Sequence, residues 1–171
     1  MNSKKALILI VCILLLGSTP VFAQGARGKA ELKAGDGSIT IDYGRPSLKG
    51  RDMLSQLAVG SFWRMGSNMA SVLTTPVDLA FGNVKVPAGS YSIWLKRAAA
   101  DSFEMVFNSQ TGQWGMQHDV SKDLYTVPMK KETQSTSTET FTIDLKSAPE
   151  GGTLVLDWGN SLMSAAFKFA K

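Results

Sequence analysis

Short segments with alternating apolar and polar residues constrain this chain most. In the first, Ile39, Ile41 and Tyr43 alternate with Thr40 and Asp42. The same rhythm recurs in five later segments: Tyr91–Lys96, Phe103–Asn108, Phe141–Lys146, Leu154–Trp158 and Met163–Phe169. Successive side chains of a strand point to opposite faces, so this period of two predicts strands with one buried face.

Turn residues separate these segments at spacings of about 8–12 residues, which is typical of a sandwich or barrel. We therefore predict an all-β fold: an antiparallel β-sandwich or flattened barrel, of jelly-roll or Greek-key type, with about nine or ten strands. Gly159-Asn160 is predicted to form a hairpin turn. The polar stretch Lys131 to Thr140 is predicted to be an exposed loop, and Asp52 to Leu57 one short helix capped by Asp52.

The first 23 residues have the layout of a secretory signal peptide. Lys4 and Lys5 precede an apolar run from Ala6 to Leu16, and small Ala23 precedes Gln24. The run is too short for a stable bilayer-spanning helix. We therefore predict cleavage near Ala23, a periplasmic or secreted location, and no stable membrane insertion afterwards.

The chain thus divides into three predicted parts. Residues 1–23 are the leader, 24–38 an N-terminal arm and first strand, and 39–171 a single β-sandwich domain. Within the second part, Gln24 to Lys29 is expected to be loose.

Removing the leader changes the charge and the cysteine count. It takes away two of 18 basic residues, none of the 14 acidic residues, and Cys12, the only cysteine. The remainder has a formal net charge of +2. A chain without cysteine has no disulfide framework, thiolate nucleophile or cysteine metal site, and so small a charge does not indicate a nucleic-acid partner.

The remaining basic charge is concentrated between Tyr43 and Ala70. This stretch holds four basic residues and one acid, Asp52. Its basic side chains, with the asparagine that follows, are Arg45, Lys49, Arg51, Arg64 and Asn68. Converging guanidinium groups would suit a carboxylate, phosphate or sulfate. Alternatively, each arginine packs its stem or hydrogen-bonds a carbonyl to hold the loop.

Aromatic residues offer a second candidate surface. Tyr43, Trp63, Tyr91, Trp94 and Trp114 could form a stacking platform for a sugar or another ligand. Trp94 has the opposite parity to Tyr91 in its strand, so a strand with one buried face would expose it. The alternative is that a loop or neighbouring strand covers this second face.

His118 is the only histidine, with Asp119 beside it and Asp123 nearby. One histidine with local aspartates is a poor metal motif, so we predict neither a metal nor a cofactor, and interpret His118 as a solvated loop residue. An enzyme of hydrolase or lyase type remains the rival hypothesis. It would use Arg64 and Asn68 as electrophilic groups and Tyr43 or His118 as acid or base.

Five ordered motifs give the chain a family resemblance. They are Tyr43–Arg51, Phe62–Asn68, Val86–Ser92, Asn108–Gly115 and Leu154–Asn160. In this order they resemble the exported bacterial family called domain of unknown function 2911. The resemblance implies a single exported β-rich domain with no established activity. Compared with the pattern of that family, this chain has three departures, at Met65, at Met69 and near His118.

Together these observations favour a non-catalytic binding or structural module of the bacterial envelope. The expected partner is a small anionic, polar or glycan ligand, or another protein. No feature of the sequence indicates an oligomeric state. The candidate ligand-binding residues are Tyr43, Arg45, Arg51, Trp63, Arg64, Asn68 and Trp114.

Overall fold

The computed structural model describes residues 26–170 and confirms an all-β, antiparallel fold. Over these residues it contains ten strands and one 3₁₀ helix, Val120–Lys122. The strands are β1 (Arg27–Ala34), β2 (Gly37–Gly44), β3 (Phe62–Trp63), β4 (Ser71–Thr75), β5 (Leu79–Phe81), β6 (Val84–Val86), β7 (Gly89–Arg97), β8 (Phe103–Asn108), β9 (Asp123–Ala148) and β10 (Gly151–Phe169).

The strands form one sheet in the order β1-β2-β4-β7-β8-β9-β10-β5-β6, and β3 pairs with β7 outside this path. The long strand β9 joins two layers. Its first part, to Met129, pairs with β8, and its later part pairs with β10. Strands β1 and β6, at the two ends of the path, both contact β9. The sheet therefore curves so that its ends pack against its middle.

One hydrophobic core lies between the layers. Ile39 and Ile41 of β2, Phe107 of β8 and Leu154 of β10 are all fully buried in the same cluster. They occupy alternate positions of their strands, as the period of two predicted. Each such side chain contributes about 1.5–3 kcal/mol to stability through burial.

Two predicted breaks in the long hairpin are wrong. Lys131 to Thr140 is strand rather than loop, and Gly159 and Asn160 lie within β10 rather than at a turn. The pairing shifts on both sides of Gly159, which has φ 61°. The Nε2 of Gln134 donates to Oδ1 of Asp157 at 2.6 Å and to the Gly159 carbonyl at 3.2 Å. These side-chain bonds replace missing ladder bonds, so the polar residues form a bulge and the strands continue.

The helix predicted over Asp52–Leu57 is a turn. Asp52 does cap it, since its Oδ1 accepts the Ser55 N–H at 3.1 Å. Arg97, however, donates to the carbonyls of Ser55 and Leu57, and a helix would need those acceptors to continue.

At the N-terminus, Arg27 to Lys29 belong to β1 and pair with β2, so the loose arm is wrong for these residues. The predicted leader, residues 1–23, lies outside the described residues. Within residues 26–170, no helix is both long and apolar enough to span a membrane.

Candidate functional site

The short strand β3 sends neighbouring side chains to opposite sides of the sheet. Trp63 faces the core, where its ring stacks on Trp158 at 5.1 Å between centroids. Phe62 faces the other side and packs against the small apolar cluster around Trp94. Arg64 follows Phe62 by two residues and contacts Gly115 and Met116. Both belong to the loop between β8 and the 3₁₀ helix, which crosses this outer side of the sheet.

That loop is tied to the segment after Arg64 by backbone pairing. Met69 and Trp114 form an isolated antiparallel bridge. The Gly115 N–H donates to the Asn68 carbonyl at 2.9 Å, and the Ala70 N–H donates to the Gln113 carbonyl at 3.2 Å. Arg64, Asn68 and Trp114 are therefore brought together, as three of the seven predicted ligand-binding residues.

A tight turn places Arg64 at this position. Met65 and Asn68 adopt left-handed backbone, with φ 50° and 63°. The Ser71 hydroxyl donates to the buried Met65 carbonyl at 2.6 Å and stabilises the turn. Non-glycine residues in this region cost about 1–3 kcal/mol each, and such strain is concentrated at functional sites.

The Arg64 guanidinium has no anionic partner in the described part of the chain. The Arg64 stem crosses Gly115 so closely that a Cβ there would lie 1.7 Å from the arginine Cδ. Its Nη1 lies 3.6 Å from the Met116 Sδ, and its Nε is buried without a hydrogen-bond partner among residues 26–170. This partial burial lowers the pKa of Arg64, because desolvation disfavours the charged form. Arginine still carries its charge at neutral pH.

Two exposed apolar side chains flank Gly115 along the chain, the residue that the Arg64 stem crosses. Trp114 is 49% exposed and Met116 is 79% exposed. We call the group formed by Arg64, Asn68, Trp114 and Met116 the Arg64 surface. It combines a planar cation with an aromatic face and a flexible thioether, a combination that can hold an anionic group attached to a flat apolar body.

The structure gives the other four predicted residues different surroundings. Tyr43 is buried in the core, and its hydroxyl donates to the Ile143 carbonyl at 3.2 Å. Trp63 also packs in the core, where it lines a cavity of about 220 Å³.

The two remaining arginines are Arg45 and Arg51. Within residues 26–170, neither makes a side-chain hydrogen bond to the other or to the Arg64 surface. Arg45 is exposed, with its Cδ beside Gly28. Arg51 donates from Nε to the Leu48 carbonyl at 3.2 Å. The structure thus places one arginine, not three, against the loop segment that carries Trp114.

Comparison with known proteins places this chain in a family. Residues 26–167, more than half of the chain, match the family model described as Protein of unknown function (DUF2911). The chain belongs to this family. No curated protein and no solved structure gives a significant match. DUF2911 therefore carries no assigned chemistry to this chain, and the contacts of its own residues have to support any proposal.

In this DUF2911 member, the outer face of β7 and β8 is covered, and Trp94 is only 1% exposed. The His118 ring stacks on Trp94 at 4.4 Å, and Phe62 packs against the same ring at 4.2 Å. The alternative of a covered second face is therefore correct for Trp94. The prediction that His118 is solvated is wrong, since its side chain is only 10% exposed.

His118 belongs to a polar network that sequence reasoning missed. Its Nε2 lies 2.8 Å from Oδ1 of Asp123, and the same oxygen accepts from Nδ2 of Asn108 at 2.8 Å. Asn108 also donates to the Asp119 carbonyl, which holds the end of the loop. The sequence did carry one signal for this network. Trp94 and Asn108 occupy positions that alternate with the core-facing apolar residues of their strands, so both point to the other face of the sheet.

Arg97 is a second residue that the sequence did not single out. Its guanidinium donates to the carbonyls of Ser55, Leu57 and Ala100 at 2.6–3.0 Å. The acceptors are backbone groups up to 42 residues away, so no local pattern marks this arginine.

Proposed function

We propose that this chain is an exported, non-catalytic binding module of the bacterial envelope. Its Arg64 surface would bind a small ligand that has an anionic group and a flat apolar part. Export is supported by the signal-peptide layout of residues 1–23. Binding rests on one observation, the guanidinium of Arg64, which is partly buried without a carboxylate or carbonyl partner in the described residues.

Partial burial without a partner is costly for a charged group. Leaving a buried polar atom without a hydrogen bond costs about 1–3 kcal/mol of stability, and the cost is larger for charged groups. An anionic ligand would recover that loss by accepting hydrogen bonds from the guanidinium. Because Nε is buried, the ligand would approach the terminal Nη atoms, where two parallel charge-assisted bonds can form.

The apolar neighbours favour a compact ligand over a protein partner. Trp114 and Met116 are exposed and flank Gly115, which the Arg64 stem crosses, and they could cover one face of a ring. A stable protein interface needs about 800 Å² from each partner, much more than two side chains offer. An aromatic carboxylate, phosphate or sulfate meets this description.

Thermal unfolding with matched anions tests the proposal. Purified protein is titrated with benzoate, phenyl phosphate and phenyl sulfate, and benzyl alcohol serves as the neutral control. At about 100 times its dissociation constant, a ligand adds roughly 2.7 kcal/mol of stability. We expect stabilisation by an anion, which Arg64→Met abolishes and Lys33→Met retains, since Lys33 is an exposed cation of β1. Equal responses of the two variants would contradict the proposal.

Export has its own test. The predicted leader ends at Ala23, so the N-terminus of protein recovered from the periplasm or medium should be Gln24. An uncleaved Met1 in a cytoplasmic fraction would contradict export without affecting the binding test.

A further inference from the structure

A polar cleft shares no lining residue with the Arg64 surface. It has a volume of about 300 Å³, at the lower end of the range for small-molecule sites. One wall is the turn that contains Arg51 and Asp52, and the other is the bulged region of the β9–β10 hairpin.

The bulge creates the cleft by interrupting the β-ladder. Gly159 pairs with Thr138, and Ser161 pairs with Thr133, so four residues of β9 face Asn160 alone. Asn160 donates from Nδ2 to the Gln134 carbonyl at 3.0 Å, which holds the bulge in place. Bulges of this kind are over-represented beside active sites.

The turn on the opposite wall is held equally firmly. Glu139 of β9 accepts the Leu48 N–H at its carbonyl, at 2.9 Å, and the Lys49 N–H at Oε1, at 3.0 Å. The Asp52 Oδ1 accepts the Ser55 N–H, which fixes that carboxylate. Both walls therefore present side chains in defined positions, and binding would need little reordering.

The charges around the cleft select the class of ligand. Its polar lining is Arg51, Asp52, Ser137, Glu139, Asn160 and Ser161. An anion would meet two carboxylates, and a cation would meet the Arg51 guanidinium. Neutral hydroxyl groups can donate to the carboxylates and accept from the arginine and the asparagine amide.

A small apolar floor completes the arrangement. Leu48 lines the cleft beside Gly159, where a Cβ would lie 3.5 Å from the leucine Cδ1. Because Gly159 has no side chain, this floor stays open to a flat C–H surface. We propose that the cleft is a second binding site that takes one ring of a neutral saccharide. This site is independent of the anion site at Arg64.

An array of neutral oligosaccharides, followed by calorimetry on the best binder, tests this second site. Ser137→Leu and Ser161→Leu each place an apolar side chain in the cleft from a different strand. We expect each to weaken binding at least about tenfold, the loss that one or two hydrogen bonds would cause. Unfolding midpoints close to that of the wild type show that each variant folds.

The anion site provides the matched control. Arg64→Met should leave saccharide binding unchanged, and Ser137→Leu should leave benzoate binding unchanged. Failure at one site is thus distinguishable from failure at the other. Absence of any bound neutral glycan on the array, or full affinity in both folded leucine variants, would overturn the proposal.

Discussion

Arg97 and Arg64 are both partly buried, yet they have opposite surroundings. The guanidinium of Arg97 donates to three backbone carbonyls and ties the Asp52–Leu57 turn to the end of β7. The guanidinium of Arg64 lies over Gly115 and beside Met116, with no oxygen acceptor in residues 26–170. The two arginines therefore differ in their acceptors: those of Arg97 stabilise the fold, and under our proposal the lack of any at Arg64 leaves it available to a ligand.

The largest expected effect is a difference in the free energy of unfolding between variants of Arg97 and Arg64. Arg97→Met should lower the free energy of unfolding by about 3 kcal/mol, because several charge-assisted hydrogen bonds are lost together. Arg64→Met should change the free energy of unfolding by less than about 0.5 kcal/mol, because the packing that the guanidinium loses is offset by removal of the buried, unpaired Nε. Urea unfolding of both variants measures the difference, and similar losses would remove the distinction.

The second prediction concerns the loop that supports Arg64. His118→Ala should cost about 2 kcal/mol, because it uncovers Trp94 and leaves Asp123 with one fewer hydrogen bond. His118→Phe keeps the stacking, so it should cost about half as much. Tryptophan fluorescence should shift to longer wavelength only in the alanine variant. An unchanged spectrum there would show that His118 does not cover Trp94.

The third prediction tests the close contact at Gly115. Gly115→Ala should cost about 1 kcal/mol and abolish benzoate binding, because the new Cβ displaces the Arg64 stem. In the Arg64→Ala background, which removes the arginine Cδ, the added cost should be smaller, although the Asn68 carbonyl at 2.6 Å still resists. Purely additive costs would mean that the Arg64 stem does not lie on Gly115.

The smallest expected effect belongs to Arg51. Arg51→Met removes one hydrogen bond to an exposed carbonyl, so stability should change by less than about 0.5 kcal/mol. Benzoate affinity should remain that of the wild type. A clear loss of benzoate binding would place Arg51, rather than Arg64 alone, in the anion site.

The sequence predicted the fold because local alternation carries the needed information. In β2 and β8 the apolar residues at every second position form the core, so the period of two was sufficient. It could not predict the bulge at Gly159, because the stabilising bonds come from Gln134, 25 residues away. The polar composition around Gln134 imitates a loop, and only the side-chain bonds across the hairpin make it a strand.

The site was predictable only in part for a similar reason. Arg64, Asn68 and Trp114 carried a visible signal, as polar and aromatic residues between turns. The sequence could not show that Arg51 and Arg97 donate to backbone carbonyls. Every residue has such a carbonyl, so no residue type marks the acceptor. Likewise, His118 resembles a loop residue until its ring is placed on Trp94.

One measurement tests the central claim that Arg64 is available to a ligand and Arg97 is not. The Nε–H resonances of Arg64 and Arg97 are followed by NMR during titration with benzoate. Each is assigned by its absence in the Arg64→Met or the Arg97→Met variant. We predict a saturable shift of the Arg64 resonance, while the Arg97 resonance stays in place. A stationary Arg64 resonance, or equal shifts of both, would contradict the account.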